Sequence, residues 1–205
     1  MKLLVNNVNW PETFPECPEV TVEVSNSQDW LLLKWHVKGE QLRAVTTEDQ
    51  GPVWEDSCVE FFCQVPGEDT YCNFECNCIG AMVGSRRKGR AEDVVPFTPE
   101  QMARIERKCD FPREAFEEKD GLFEWTVEEK IPLDLIFQRP MTNDQRPMTN
   151  DQRPMTNDQR PMTLRANFYK CADKTKRPHF VSWRPIDLPK PDFHCPQFFG
   201  EIVLN

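Results

Sequence analysis

The sequence predicts an all-β protein, an antiparallel β-sandwich of the jelly-roll kind with one short helix. Three observations predict it. Several segments alternate apolar and polar residues with a period of two, short Gly- or Pro-containing connections separate them, and a single stretch carries helix-start chemistry. At 205 residues and 39% hydrophobic content, the chain suits one domain spanning 1–205 with a substantial core.

The segment WLLLKWHVKG, residues 30–39, places Leu31, Leu33, Trp35 and Val37 on one parity, the pattern of a half-buried strand, so Trp35 reads as core. In residues 57–65 the odd positions Val59, Phe61, Cys63 and Val65 are apolar, which leaves Glu60 and Gln64 on the other face. TYCNFECNCIG, residues 70–80, sets Cys72, Phe74, Cys76 and Cys78 against Asn73, Glu75 and Asn77, and the thiols read as small core residues. TPEQMARIERK, residues 98–108, is the expected helix: Thr98 as N-cap, Pro99 at N1 and Gln101 at N3 form a capping box. Phe123, Trp125, Val127 and Ile131 share a parity and make Trp125 core as well. Leu164 to Cys171 and the terminal GEIVLN complete the strand candidates.

QRPMTND repeats in tandem from Gln138 and breaks off at Thr163. Its period is seven, but each copy carries a proline and only Met as an apolar residue, which excludes a coiled coil. The repeat, 138–163, is expected to be a polar loop that cannot repay the entropy of ordering.

The formal charge of -9 argues against nucleic acid, since only Arg86, Arg87, Lys88 and Arg90 cluster. The apolar run Leu3 to Val5 is too short for a signal-peptide core, and nothing spans a membrane as a helix. Nine cysteines without a tight framework fit reduced thiols, so a cytoplasmic location is expected. Cys72, Cys76 and Cys78 lack C-x2-C pairing, and His36, His179 and His194 lie far apart, so no metal ligand set and no cofactor are assigned.

Trp54 precedes the apolar rhythm of its strand and is flanked by Pro52, Glu55 and Asp56, which suggests contact with something other than the core. Four stretches carry a resemblance: VWEDSCVEFF (53–62), YCNFECNCIG (71–80), RANFYKC (165–171) and PHFVSWRPIDLPKPDFHCPQFFGEIVL (178–204). In this order they resemble the family 9 carbohydrate-binding modules and their stand-alone relatives, within the broader DOMON-like group. The resemblance implies a mono- or oligosaccharide partner and a sugar ring held between two tryptophans, Trp54 and Trp183. Flat aromatics would take the apolar faces of a pyranose, and charged or amide groups its hydroxyl rim.

Glu60 matches a family acid that contacts sugar hydroxyls, and Arg86, Asn167 and Lys170 match approximately as rim contacts. Six residues of straight strand span roughly 20 Å, so Trp54 must fold back to share a sugar with Glu60. Asn167 and Lys170 have opposite parity and share a site only if their strand is bulged or ending. The family is known to carry structural calcium, yet no D-x-D-x-D-G loop assigns a site here. Family 9 modules also accompany xylanases, which keeps a second reading open: a glycoside hydrolase using Glu60 and Glu75 as its carboxyl pair. A third is a scaffold that has lost its ligand.

Overall fold

A computed structural model describes residues 1–138 and 162–204. Its strands are β1 (Lys2–Leu4), β2 (Asn7–Val8), β3 (Glu19–Asn26), β4 (Trp30–Ala44), β5 (Cys58–Gln64), β6 (Tyr71–Asn77), β7 (Met82–Arg87), β8 (Val95–Pro96), β9 (Glu106–Cys109), β10 (Phe116–Pro132), β11 (Met162–Cys171), β12 (Phe180–Ser182) and β13 (Gly200–Leu204). Two short helices join them, α1 (Pro99–Ala103) and α2 (Leu133–Phe137).

The strands form two antiparallel sheets. One has five strands in the order β1-β3-β4-β10-β9; the other has eight, in the order β2-β12-β11-β5-β6-β7-β8 with β13 also paired to β11. Period-two alternation sends Val22, Leu33, Trp35 and Val37 from the first sheet against Val59, Phe61, Phe74 and Phe168 from the second. Phe61 stacks between Phe74 and Phe168, with centroid distances of 6.0 and 5.1 Å, and Trp35 meets Phe168 edge-on at 5.8 Å. Trp125, Cys72, Cys76 and Cys78 are buried in this same core, as their parity indicates.

Thr98 and Gln101 form the expected capping box, each side chain accepting from the other's backbone N–H. The helix is shorter than the sequence suggests. It stops at Ala103, because Glu106–Cys109 leaves it to pair with Glu106↔Lys130 through Cys109↔Val127 on the edge of β10. The sequence reading also missed α2, whose five residues are too few to display a helical period, although Leu133, Leu135 and Ile136 are buried. Of the heptapeptide repeat, residues 139–161 lie outside the described residues. Gln138 caps α2 in the left-handed conformation, and Met162 and Thr163 already belong to β11.

The outer face of the eight-stranded sheet is not simply solvated. A second apolar cluster lies on it, in which Cys58, Phe62, Tyr71, Val83 and Tyr169 from the strands meet Trp10, Ile186, Phe193 and Phe199 from outside. The chain from Arg184 to Phe199 therefore covers part of this face, anchored where the Trp10 indole donates to the Leu188 carbonyl at 2.7 Å. What remains open positions the site.

Candidate functional site

Because side chains alternate across a strand, β5, β6, β7 and β11 present Glu60, Glu75, Arg87 and Cys171 on the same outer face. The covering segment closes one side. Phe193 stacks on Tyr169 with a centroid distance of 4.2 Å and an interplanar angle of 10°, and the His194 ring lies 4.9 Å from Phe62. Between this wall and Trp54 lies a cleft of about 340 Å³, lined among others by Glu60, Glu75, Arg87, Asp173 and His194.

Trp54 reaches the cleft through a 3-10 turn, Val53–Glu55, whose Val53 side chain is buried as an anchor. The Trp54 carbonyl accepts from the Asp173 N–H at 3.2 Å and the Glu55 carbonyl from the Lys174 N–H at 3.1 Å, which folds the turn back over the end of β11. The indole is left 39% exposed. An anchored backbone under an open aromatic ring is a rigid stacking platform, ordered at little entropic cost when a ligand arrives.

The polar floor is held by short relays. Arg87 Nε donates to Ser85 Oγ at 2.8 Å, Ser85 donates to Asn73, and Asn73 Nδ2 donates to Glu75 Oε1 at 2.9 Å. The Cys171 thiol donates to Glu60 Oε1 at 2.9 Å. Tyr71 and His194 Nδ1 share a hydrogen bond of 2.9 Å, and Arg90 pairs with Asp192 at 3.3 Å.

Burial governs the protonation of these groups. Glu60 and Glu75 are only 3% and 4% exposed. Loss of hydration, and then repulsion by Glu75, push Glu60 well above the usual carboxylate range; burial raises Glu75 to about 7 and Asp173 to about 6. Burial, with Arg87 and Arg90 nearby, lowers His194 to about 3, so its imidazole stays neutral. The floor thus offers carboxyl groups able to donate or accept, beside fixed guanidinium donors. Such a set suits a neutral ligand with many hydroxyls.

Of the residues singled out in the sequence, Trp54 and Glu60 line this cleft, so the required fold-back is present. The other four lie elsewhere. Trp183 continues the parity of Val181 and packs toward the inter-sheet core, edge-on to Phe168 at 5.6 Å, with the Arg184 guanidinium 4.1 Å from its ring. Trp183 is not among the residues lining the cleft beside Trp54, so that cleft does not show the expected Trp54/Trp183 clamp. Arg86 shares the parity of core-facing Met82 and is occupied by Glu68 and by the carbonyls of Leu135 and Ile136, the last at 2.6 Å. Its neighbour Arg87 is the arginine in the cleft.

Asn167 is on the outer face but buried under the covering segment, bridging the Arg184 N–H at 2.9 Å and carbonyl at 3.2 Å. Lys170 has core parity and is 0% exposed; its ammonium group meets Glu40 at 2.8 Å and His179 at 3.0 Å between the sheets. β11 has no bulge that would reunite Lys170 with Asn167, since its register with β5 runs unbroken from Arg165↔Gln64 to Cys171↔Cys58.

Sequence reasoning passed over Arg87, Arg90, Asp173 and His194 as site residues. Parity with Val83 and Ser85 was a usable signal for Arg87. Asp173 and His194 sit in irregular segments, where no period exists to place them.

The family model described as carbohydrate-binding family 9 matches residues 1–204. A structure from Bacteroides uniformis ATCC 8492, described as a carbohydrate-binding protein by inference, is 35% identical with a TM-score of 0.86, covering 100% of this chain and 86% of that one. A family 9 carbohydrate-binding module from Caldicellulosiruptor kristjanssonii, solved with glucose, is 11% identical with a TM-score of 0.54 over 98% of this chain and 84% of its own; at that identity the likeness concerns the fold. No curated protein matches the chain significantly.

Proposed function

Given that the chain belongs to carbohydrate-binding family 9, we propose that it binds a mono- or oligosaccharide without cleaving it, in the cleft beside Trp54. The observation that carries this reading is an exposed indole and a buried polar floor lining one open cleft. A pyranose would lay one C–H face on Trp54 and direct its hydroxyls to Glu60, Glu75 and Arg87. Asp173 and His194 close the rim. The carbohydrate-binding description of the B. uniformis relative supports the ligand class.

Phe180 and Phe193, which also line the cleft, are the aromatic residues available opposite Trp54. They meet each other at 6.1 Å and 68°, so at most one of them can lie parallel to the Trp54 ring.

The hydrolase reading starts from the same acids. Glu60 and Glu75 face each other in register on adjacent strands. Two features weigh against catalysis. Both carboxyls lie side by side in the floor, where a sugar would rest across them, whereas hydrolysis requires them to flank the scissile bond. Both are also pushed toward the protonated form, while a retaining pair needs one ionised member. Calorimetric titration with glucose and a panel of oligosaccharides tests the binding reading, and release of an aryl aglycone that disappears in Glu60→Gln would replace it with the enzymatic one.

A further inference from the structure

Beneath Trp54 the cleft floor holds two thiols that the sugar reading does not use, beside Glu60, which it does. Cys58 and Glu60 project from the same face of β5, and Cys171 is the direct cross-strand partner of Cys58 on β11. The two sulfurs and a carboxylate oxygen of Glu60 lie within 4.8 Å of one another, all in buried residues. We propose that Cys58, Cys171 and Glu60 form a binding site for a thiophilic divalent cation of the zinc class.

The geometry and the donor types both point this way. Tetrahedral zinc with bonds of about 2.3 Å to sulfur and about 2.0–2.2 Å to oxygen separates its ligand atoms by roughly 3.5–3.8 Å. The Cys171 sulfur lies 2.9 Å from a Glu60 oxygen and all three donor atoms lie within 4.8 Å of one another, so side-chain rotation is the adjustment a bound ion would require. Two thiolates and one carboxylate suit zinc or cobalt and reject calcium or magnesium, which take oxygen ligands. The fourth position faces the cleft, since Glu60 and Cys171 both line it.

The electrostatics leave room for a cation. Glu60, Glu75 and Asp173 crowd the floor, and among the described residues none of the three has a lysine or arginine within ion-pair distance. Metal uptake replaces protons by a metal ion: the two S–H bonds break, two S–metal bonds form, and the thiol protons leave to solvent, joined by the Glu60 proton where that carboxyl is neutral. No oxidant or reductant takes part. Because uptake releases protons, it strengthens as the pH rises.

The test needs no sugar and so stands apart from the carbohydrate reading. The full chain, kept reduced with a phosphine, is titrated with Co2+. The expected result is one ion per chain, with a thiolate-to-cobalt charge-transfer band in the near ultraviolet that Zn2+ abolishes by displacement. The band should vanish in Cys58→Ser/Cys171→Ser and persist in Cys63→Ser/Cys72→Ser, which alters another pair of cross-strand thiols. Glu60→Gln keeps both thiols and their packing and should weaken Co2+ binding by about tenfold or more, since even groups behind the ligands are worth that much. This variant decides the matter if the double serine variant fails to fold. Absence of stoichiometric binding, a band that survives in Cys58→Ser/Cys171→Ser, or unchanged affinity in Glu60→Gln would overturn the proposal.

Discussion

Glu60 and Glu75 stand directly opposite one another across β5 and β6, on the face that forms the cleft floor. Two like charges in register and out of water are costly, and the cost is relieved by both carboxyls holding protons more tightly than free carboxylates do.

That relief gives stability a definite pH dependence. Glu75 titrates near 7 when folded, above the ordinary carboxylate value, so the folded state holds a proton that the unfolded chain has lost. Its contribution to stability therefore falls as the pH rises from about 4.5 to about 8. His194, lowered to about 3, acts in the opposite sense and costs stability as the pH falls below about 6.5. Thermal melts of the wild type and Glu75→Gln separate the two, because His194 is common to both. The variant's advantage should be larger at pH 8 than at pH 5, and a difference that does not change with pH would contradict the assignment.

The adjacent arginines should divide binding from folding. Arg87→Ala removes a cleft donor and is expected to weaken saccharide binding by about tenfold, on the order of one lost charge-assisted hydrogen bond. Arg86→Ala strips the cap from the Leu135 and Ile136 carbonyls and should cost about 1–3 kcal/mol of stability with affinity unchanged. Urea unfolding and calorimetry on both variants check the division.

Trp183 should behave as a packing residue. Its edge-on contact with Phe168 predicts that Trp183→Ala loses about 1–3 kcal/mol on unfolding, while saccharide affinity stays within about twofold of wild type. Loss of binding in a folded Trp183→Ala protein would restore the two-tryptophan clamp.

Lys170 is the strongest test of the interior. Glu40 accepts from the Trp125 indole at 2.7 Å and pairs with Lys170 and His179, with loss of hydration outweighed by Lys170 and then His179 so that its carboxyl lies below the usual range. Lys170→Met leaves that carboxylate buried with only His179 and the Trp125 N–H beside it and is expected to cost about 3–5 kcal/mol. Adding Glu40→Gln should recover part of the loss. The readout is the urea midpoint, and an unaltered midpoint in the single variant would contradict the account.

Much of this was legible in the sequence because strand alternation is a local rule. It placed Trp35, Trp125, Phe61, Cys72 and Cys76 in the core and put Glu60 and Glu75 on the other face, and both are where that rule sends them. The same rule, followed strictly, would have turned Trp183, Arg86 and Lys170 away from the cleft; the resemblance led to them in spite of their parity. The burial of the polar face was not legible, because the segment that covers it is irregular and reaches the sheet through Phe193, His194 and Phe199, which carry no period. A turn as short as Val53–Glu55 likewise announces an exposed tryptophan without showing what it stands over.

The central claim concerns where a sugar sits. A crystal structure of the chain soaked with a saccharide that calorimetry shows to bind is the most direct measurement. It should reveal a ring lying flat on the Trp54 indole at about 4 Å, with hydroxyls bonded to Glu60 or Glu75. A sugar resting against Trp183 or elsewhere, with the Trp54 cleft empty, would contradict the account.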